Sequence, residues 1–181
     1  MNIVKSTSKD AVATIQDFIM NKKQGVAYCV HDEKSIFTTV SNNIDETYCQ
    51  EHDYTILDTK HTGGVVVVNA GDISVIHFGD IGNDWMHRFA KHLIEWYQEK
   101  GLDATFDGND VLIDGYKISG LSATPYGNIQ YSTIHIGINT NLEDIKAICK
   151  KPMNKVPKGL SEYGVTTEEI EQMFLDFCEC N

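Results

Sequence analysis

The stretch GNDVLIDGYKISG, residues 108–120, places a tight turn and a lysine between two short apolar runs. Asp114-Gly115 is typical of two-residue hairpin turns, because both positions tolerate positive φ angles. The sequence therefore predicts antiparallel strands over 111–113 and 117–123. Lys117 would project from this rigid hairpin, where an ammonium group can bind a carboxylate and an adjoining phosphate together. A strand lysine taken alone is more often a solvated surface residue.

A second stretch, KHTGGVVVVNAGD at residues 60–72, contains a diglycine before an apolar run. Glycines at 63 and 64 would let the backbone turn sharply and approach a ligand, with Lys60 and His61 adding positive charge beside them. An ordinary strand-to-strand turn is the simpler interpretation of a diglycine alone. The consecutive apolar residues 64–68 predict a strand that is buried on both faces.

Three polar residues are further candidates for ligand binding. Asn109 and Asp110 could offer oxygen atoms to phosphates or to Mg²⁺, although an Asx turn is the commoner use of such a pair. His135 lies in the alternating segment 130–139 and could point into the site or away from it. No His, Cys and carboxylate grouping has the spacing of a zinc site.

The remaining patterns predict helices and strands in mixed order. Helices are expected over 8–22, 83–100, 141–149 and 166–178, each with a capping residue or an apolar stripe. A hairpin is expected from strands 26–30 and 35–40, joined by the turn-like residues 31–34. Further strands are expected at 54–57, 72–78, 104–106 and 130–139. This order favours one α+β domain over 1–181, with a mixed, mostly antiparallel sheet flanked by helices.

Charge and cysteine content narrow the classes of partner. The net charge of −11 argues against general binding of nucleic acid or anionic membranes. Five cysteines without an apolar leader indicate free thiols in a reducing cytoplasm. The longest strictly apolar run, residues 65–68, is far too short for a membrane span.

Motifs along the chain, taken in order, resemble those of the lipoate–protein ligase and octanoyltransferase family. That family shares its class II synthetase-like catalytic fold with biotin–protein ligases. The similarity covers most of the chain and is strongest from 58 to 142. The matching segments are Thr62-Gly63-Gly64, Gly71-Asp72, Asn109-Asp110, the GYKISG of residues 115–120, the IGIN of residues 136–139, and Asn141-Leu142.

The resemblance implies an enzyme that activates lipoate, or a similar acyl carboxylate, with ATP and Mg²⁺. It would then transfer the acyl group to a lysine of an acceptor lipoyl-type domain. By resemblance Lys117 is the catalytic lysine and Asp110 a Mg²⁺ contact. The residues implied in binding lipoate or ATP are Lys60, His61, Thr62, Gly63, Gly64, Gly71, Asp72, Asn109, Asp110, Ser119, Gly120 and His135.

Departures from the family pattern keep two alternatives open. Thr59 and Lys60 stand in place of the family's arginine pair, and the third glycine is missing or is Val65. These losses allow a non-catalytic member that binds a ligand or a partner. The chain also leaves no room for the accessory C-terminal domain of many lipoate ligases, so a separate subunit could supply that function.

The other alternative is an octanoyl or lipoyl transferase that uses Cys149 as its nucleophile. Lys150 and Lys151 are expected to lower the pKa of Cys149, yet the surrounding sequence does not match the family's transferase motif. An adenylating ligase needs no cysteine, so the ligase interpretation leads. Docking of an acidic lipoyl domain would need a basic site face, for which the candidates are Lys60, Lys117, Lys150, Lys151, Lys155 and Lys158.

Overall fold

A computed structural model describes residues 3–38, 43–59 and 64–180. Within those ranges no helix is both long and apolar enough to cross a membrane. The helices are α1 (Ser8–Met20), α2 (Glu46–Glu51), α3 (Trp85–Glu99), α4 (Leu142–Ile148) and α5 (Thr167–Cys180). The strands are β1 (Ile3–Ser6), β2 (Gly25–Val30), β3 (Ser35–Thr38), β4 (Thr55–Asp58), β5 (Val66–Val68), β6 (Ile73–Asp80), β7 (Ala104–Asp107), β8 (Asp110–Ile113), β9 (Tyr116–Tyr126) and β10 (Ile129–Ile136).

The strands form one large and one small sheet. The large sheet has seven strands in the order β1-β2-β6-β10-β9-β8-β7, and every pair except the parallel β1–β2 is antiparallel. The small sheet has the order β4-β3-β5. The predicted α+β class with a mixed, mostly antiparallel sheet is confirmed.

One face of the large sheet is covered by α3 and α5. Phe89 and Leu93 of α3 and Phe174 of α5 are fully buried against sheet residues such as Val75 and Ile134. Aromatic contacts join the two helices, including Phe89 and Phe174 with ring centroids 5.5 Å apart. Burying each of these side chains contributes roughly 1.5–3 kcal/mol, so this layer is the main core.

The opposite face is divided between α1 and the small sheet. Ile15 and Phe18 of α1 pack on Ile76 and Phe78 of β6. Phe37 of the small sheet packs with buried residues of β2 and α1. A cleft opens where the small sheet meets the β8–β10 part of the large sheet.

The expected hairpin over 26–40 is wrong. The strands β2 and β3 belong to different sheets, because β2 pairs with β1 and β6 while β3 pairs with β4 and β5. The His31 N–H donates to the Asp72 carbonyl, and the His31 carbonyl accepts from the Gly71 N–H, so the chain bonds to the β6 entry rather than to itself. Both strands are almost wholly buried, and long-range pairing outweighs the local turn signal.

The strand predicted over 64–68 is shorter and less buried than expected. The strand β5 comprises only Val66–Val68, and of these only Val68 is fully buried. Val66 and Val67 are half-buried because they line the cleft. The apolar run therefore forms a wall of the cleft and not an interior strand.

Candidate active site

The cleft has a volume of about 670 Å³ and lies between three walls. The strands β8, β9 and β10 form its floor, residues 64–67 form one side, and the end of α4 with residues 153–157 forms the other. A smaller chamber of about 40 Å³ adjoins it and shares Val66, Thr133 and His135 with it. A cleft of this size can enclose a small organic ligand.

Lys117 lies on the β9 arm of the predicted hairpin. Asp114 and Gly115 both have positive φ angles, 52° and 81°, as a two-residue turn of this kind requires. A bulge follows, because Val111 pairs with Ser119 while its neighbour Leu112 pairs with Lys117. The extra residue breaks the alternation of faces, so that Lys117 and Gly120 share the cleft face.

The absence of a side chain at Gly120 makes room for the lysine. A Cβ atom placed on Gly120 would lie 3.2 Å from Lys117 Nζ and 3.3 Å from Lys117 Cε. Ordinary carbon contacts begin near 3.5 Å. The Lys117 side chain is therefore folded back over Gly120, and the Lys117 ammonium group is held at the floor of the cleft.

Asp110 joins two lysines in this part of the cleft. Lys117 Nζ donates to Asp110 Oδ1 at 2.7 Å, and Lys155 Nζ donates to Asp110 Oδ2 at 2.9 Å. Burial alone would raise the pKa of Asp110, but the hydrogen bonds and charges of both lysines outweigh it and hold that pKa below its usual value. The carboxylate therefore stays ionised and fixes the two ammonium groups side by side.

The loop that carries Lys155 is hydrogen-bonded to β9, the strand that carries Lys117. The Lys117 N–H donates to the Val156 carbonyl, and the Lys158 N–H donates to the Lys117 carbonyl. Lys155 also donates to the carboxylate of Asp107 at 2.9 Å. The sequence analysis named Lys155 only as one of several candidate basic residues and did not predict its pairing with Asp110. The two residues are 45 positions apart, and no local signal marks the pair.

Several other predicted residues also line the cleft. Gly64 lies on one wall, and Asn109 and Gly120 lie on the floor near Lys117. Ser119 contributes backbone only, since its hydroxyl has no exposed surface and lies beside Tyr97 in the core. Lys60, His61, Thr62 and Gly63 lie outside the described residues.

Gly71 and Asp72 do not reach the cleft and instead hold the fold together. Asp72 is 1% exposed, and its carboxylate accepts hydrogen bonds from the backbone N–H groups of Asn69, Ile138 and Asn139. Burial would raise the pKa of Asp72, but these bonds and the nearby His135 hold it below its usual value. Gly71 has a φ angle of 91°, which suits glycine at this turn.

His135 faces the cleft and belongs to a chain of buried polar side chains. Ser74 Oγ lies 3.2 Å from His135 Nδ1 and 2.9 Å from His31 Nε2. His31 is 2% exposed, and desolvation lowers its pKa to about 3. The sequence missed His31 and Ser74, because only the register of three strands brings them to His135.

Cys149 lines the cleft at the end of α4 and is half-buried. Burial raises the pKa of the Cys149 thiol. The expectation that Lys150 and Lys151 would lower that pKa is therefore wrong. The partial negative charge at a helix C-terminus disfavours a thiolate as well.

Comparison with known proteins supplies the family. The model of the family described as the lipoyl protein ligase A/B catalytic domain matches residues 36–174. The chain belongs to this family. A comparison of this chain with curated proteins found no match. Within the described residues, no cluster of three or more His, Cys, Asp or Glu side chains could hold a metal ion.

Solved structures share the fold of this lipoyl protein ligase A/B domain at low sequence identity. A T. acidophilum protein with bound lipoic acid has a TM-score of 0.78 at 14% identity, over 97% of this chain and 83% of the other. A bi-partite lipoate protein ligase from T. acidophilum has a TM-score of 0.74 at 17% identity, over 97% and 80%. A lipoate-protein ligase A bound with ATP has a TM-score of 0.78 at 14% identity, over 97% and 83%.

Proposed function

We propose that this protein is a lipoate–protein ligase that activates lipoate with ATP and transfers the lipoyl group to a lysine of an acceptor lipoyl domain. The observation that carries the proposal is the Lys117 ammonium group, held by Asp110 at the floor of the cleft in a catalytic domain of this family. Relatives of the same fold contain lipoic acid in one case and ATP in another, which supports both as substrates.

The first chemical step would join the two substrates. A lipoate carboxylate oxygen attacks the α-phosphorus of ATP, the bond to the β-phosphate oxygen breaks, and pyrophosphate leaves. Negative charge then develops on the α-phosphate oxygens and on the departing pyrophosphate oxygen, while the carboxylate loses its charge as it forms the new bond. The paired ammonium groups of Lys117 and Lys155 are positioned to stabilise that charge, because both are fixed before the reaction by Asp110.

The second step would use the resulting lipoyl-adenylate. The neutral amine of the acceptor lysine attacks the lipoyl carbonyl carbon, an amide bond forms, and AMP leaves while the amine loses a proton. Lys117 would stabilise the negative charge that develops on the carbonyl oxygen. An E2 lipoyl domain is the partner named with the bi-partite T. acidophilum ligase, which supports such a domain as the acceptor here and a separate accessory subunit as a further partner.

Asp110 is not available as a Mg²⁺ ligand while it is paired with Lys117 and Lys155. Both oxygens of that carboxylate are held by ammonium groups, and a cation there would have to displace a lysine. We therefore take Mg²⁺ to enter with the ATP phosphates and assign it no protein ligand.

All five cysteines are free, which supports a reducing compartment such as the cytoplasm.

A cysteine-dependent acyl transfer is the second candidate, because Cys149 lines the same cleft. This candidate is the weaker one, because the raised pKa of Cys149 disfavours the thiolate, which is the attacking species. The two candidates differ in their dependence on ATP and on single residues.

Incubating a lipoyl domain with the protein, lipoate and Mg-ATP, and measuring the intact mass of the acceptor, separates the candidates. We expect the mass of one lipoyl group to be added by the unmodified protein and by Cys149→Ser, and not by Lys117→Ala. Transfer that survives Lys117→Ala would refute the ligase proposal. Transfer from an octanoyl thioester donor without ATP, lost in Cys149→Ser, would establish the transferase, because the donor thiol then leaves as the acyl group moves to Cys149. No transfer by the unmodified protein from either acyl source would favour a binding module.

A further inference from the structure

A row of small and polar residues crosses the large sheet on the face that bears the cleft. The register pairs Gly120 with His135, His135 with Ser74, and Ser74 with Cys29. Residues directly opposite one another on neighbouring strands point to the same face, with Cβ atoms about 4.5–5.5 Å apart. The row therefore runs from the Lys117 ammonium, which lies over Gly120, towards the start of α1.

The side chains in this row are joined by hydrogen bonds. His135 Nδ1 lies 3.2 Å from Ser74 Oγ, Ser74 Oγ lies 2.9 Å from His31 Nε2, and His31 Nδ1 lies 3.0 Å from Ser8 Oγ. At the other side of the His135 ring, Nε2 lies 3.6 Å from Asp72 Oδ2. We call Ser8, His31, Ser74 and His135 the polar relay.

The direction of the hydrogen bonds in the polar relay follows from the Asp72 carboxylate, which faces its His135 end. At the other end the Asp32 carboxylate also interacts with Ser8, whose hydroxyl lies 3.0 Å from His31 Nδ1. His31 is neutral, with its pKa lowered to about 3 mainly by burial, so one of its ring nitrogens donates and the other accepts. Asp72 is ionised and faces His135 Nε2, which favours a hydrogen on that nitrogen. His135 Nδ1 then accepts from the Ser74 hydroxyl, Ser74 accepts from His31 Nε2, and His31 Nδ1 accepts from Ser8.

The His135 Nε2–H is the one group of the polar relay that this arrangement leaves without a close acceptor. Its distance of 3.6 Å to Asp72 exceeds that of a hydrogen bond. The Asp72 carboxylate already accepts three backbone N–H groups and does not need it. His135 itself lines the cleft.

We propose that the polar relay holds His135 in the Nε2–H form and presents that N–H to an oxygen of the bound acyl carboxylate, beside the Lys117 ammonium. His135 is then a binding residue, and Ser74 and His31 are positioning residues that act through it. The choice of an acyl carboxylate as the ligand rests on the function proposed above. The position of the hydrogen on the His135 ring is independent of that function. Direct opposition of His135 and Gly120 puts the imidazole and the ammonium within reach of one carboxylate.

A hydrolytic role for the same residue types is disfavoured by the position of Ser74. Asp72, His135 and Ser74 contain the groups of a catalytic triad. Ser74, however, lies in the middle of β6 between β2 and β10, where the backbone N–H groups are used by the sheet. The described strands that flank Ser74 therefore leave no backbone donor beside it to stabilise an oxyanion.

The ring form of His135 can be measured without a ligand by nitrogen-15 NMR of the histidine side chains at neutral pH. We expect His135 to carry its hydrogen on Nε2, and we expect Ser74→Ala to give a mixture of the two neutral forms. The resonance is assigned with His135→Gln. A hydrogen on Nδ1, or a ring form unaffected by Ser74→Ala, would overturn the proposal.

Binding of lipoate, octanoate and biotin by calorimetry tests the donor role. We expect His135→Leu to weaken the best of the three acids roughly tenfold, the loss of one hydrogen bond, and His135→Gln to recover much of it with its amide N–H. His87→Leu, which removes an exposed imidazole from α3, is the matched control. Unchanged affinity in His135→Leu, or no binding of any acid, would overturn the proposal. Binding that depends on His135 without adenylate formation would support it while refuting the ligase.

Discussion

Replacing Gly120 with alanine tests how closely the Lys117 ammonium must be placed. The new Cβ would lie 3.2 Å from Lys117 Nζ, 3.3 Å from Lys117 Cε and 3.5 Å from Asp110 Oδ1. Restoring normal contacts requires the end of the lysine to move by about 0.5 Å. That movement would strain the 2.7 Å bond between Lys117 and Asp110.

The expected effect on activity is large and the expected effect on folding is small. A displacement of 1 Å at a reacting group can cost about a hundredfold in rate, so half of that predicts about a tenfold lower kcat for adenylate formation. The lysine end is flexible, and alanine is favoured over glycine in a strand by roughly 0.5–1 kcal/mol. The free energy of unfolding should therefore change by less than about 1 kcal/mol.

Two measurements on the same protein preparation check this expectation. Single-turnover adenylate formation gives the rate, and urea unfolding followed by fluorescence gives the stability. Gly120→Val should lower the rate further than Gly120→Ala, because a larger side chain displaces the ammonium more. A normal rate in a folded Gly120→Ala protein would refute the argument that the position of Lys117 controls the reaction.

Three further predictions concern other residues of the site and its support. Lys155→Ala should raise the KM for ATP about tenfold, through loss of a charged hydrogen bond, and an unchanged KM would mean that Lys155 only holds its loop. Asp72→Ala should lower the free energy of unfolding in urea by at least about 3 kcal/mol, because buried N–H groups lose their acceptor; near-native stability would contradict its bracing role. His31 binds a proton more readily when unfolded, since folding lowers its pKa from 6.5 to about 3, so stability should fall as pH drops through that range. The loss attributable to His31 is about 2 kcal/mol at pH 5, and an equally steep pH dependence in His31→Gln would argue against this origin.

Local sequence signals predicted the elements that carry the lysine. Asp114-Gly115 specifies its turn through backbone preference alone, so the β8–β9 hairpin could be predicted from adjacent residues. The helix α3 was equally clear, because its apolar stripe repeats with the period of a helix. Such signals survive folding because nothing distant competes with them.

Pairing between strands that are distant in sequence determined the parts of the fold that were not predicted. Residues 26–40 carry the pattern of a hairpin, yet β2 and β3 each find better-buried partners in different sheets. The strand β1 was missed because its four residues gain order only by pairing with β2. Local patterns do not report competition between distant partners, so these elements required the whole fold.

The composition of the site shows the same division. Lys117, Asn109 and Asp110 were predicted from a local motif and lie together at the cleft. Lys155, His31 and Ser74 were not, because their partners are 43 to 61 residues away in sequence. Asp72 matches a ligand-binding position of the family motif, but its carboxylate accepts hydrogen bonds from three backbone N–H groups. Two of those groups are distant in sequence, so only the folded structure shows this role.

The most direct test of the central claim is mass spectrometry of the purified protein with Mg-ATP and, in parallel, lipoate, octanoate or biotin. We predict an acyl-adenylate from lipoate that forms with the unmodified protein and is absent with Lys117→Ala. Thermal unfolding confirms that the variant is folded. No adenylate from any of the three acids, or an adenylate that forms equally well in Lys117→Ala, would contradict the account.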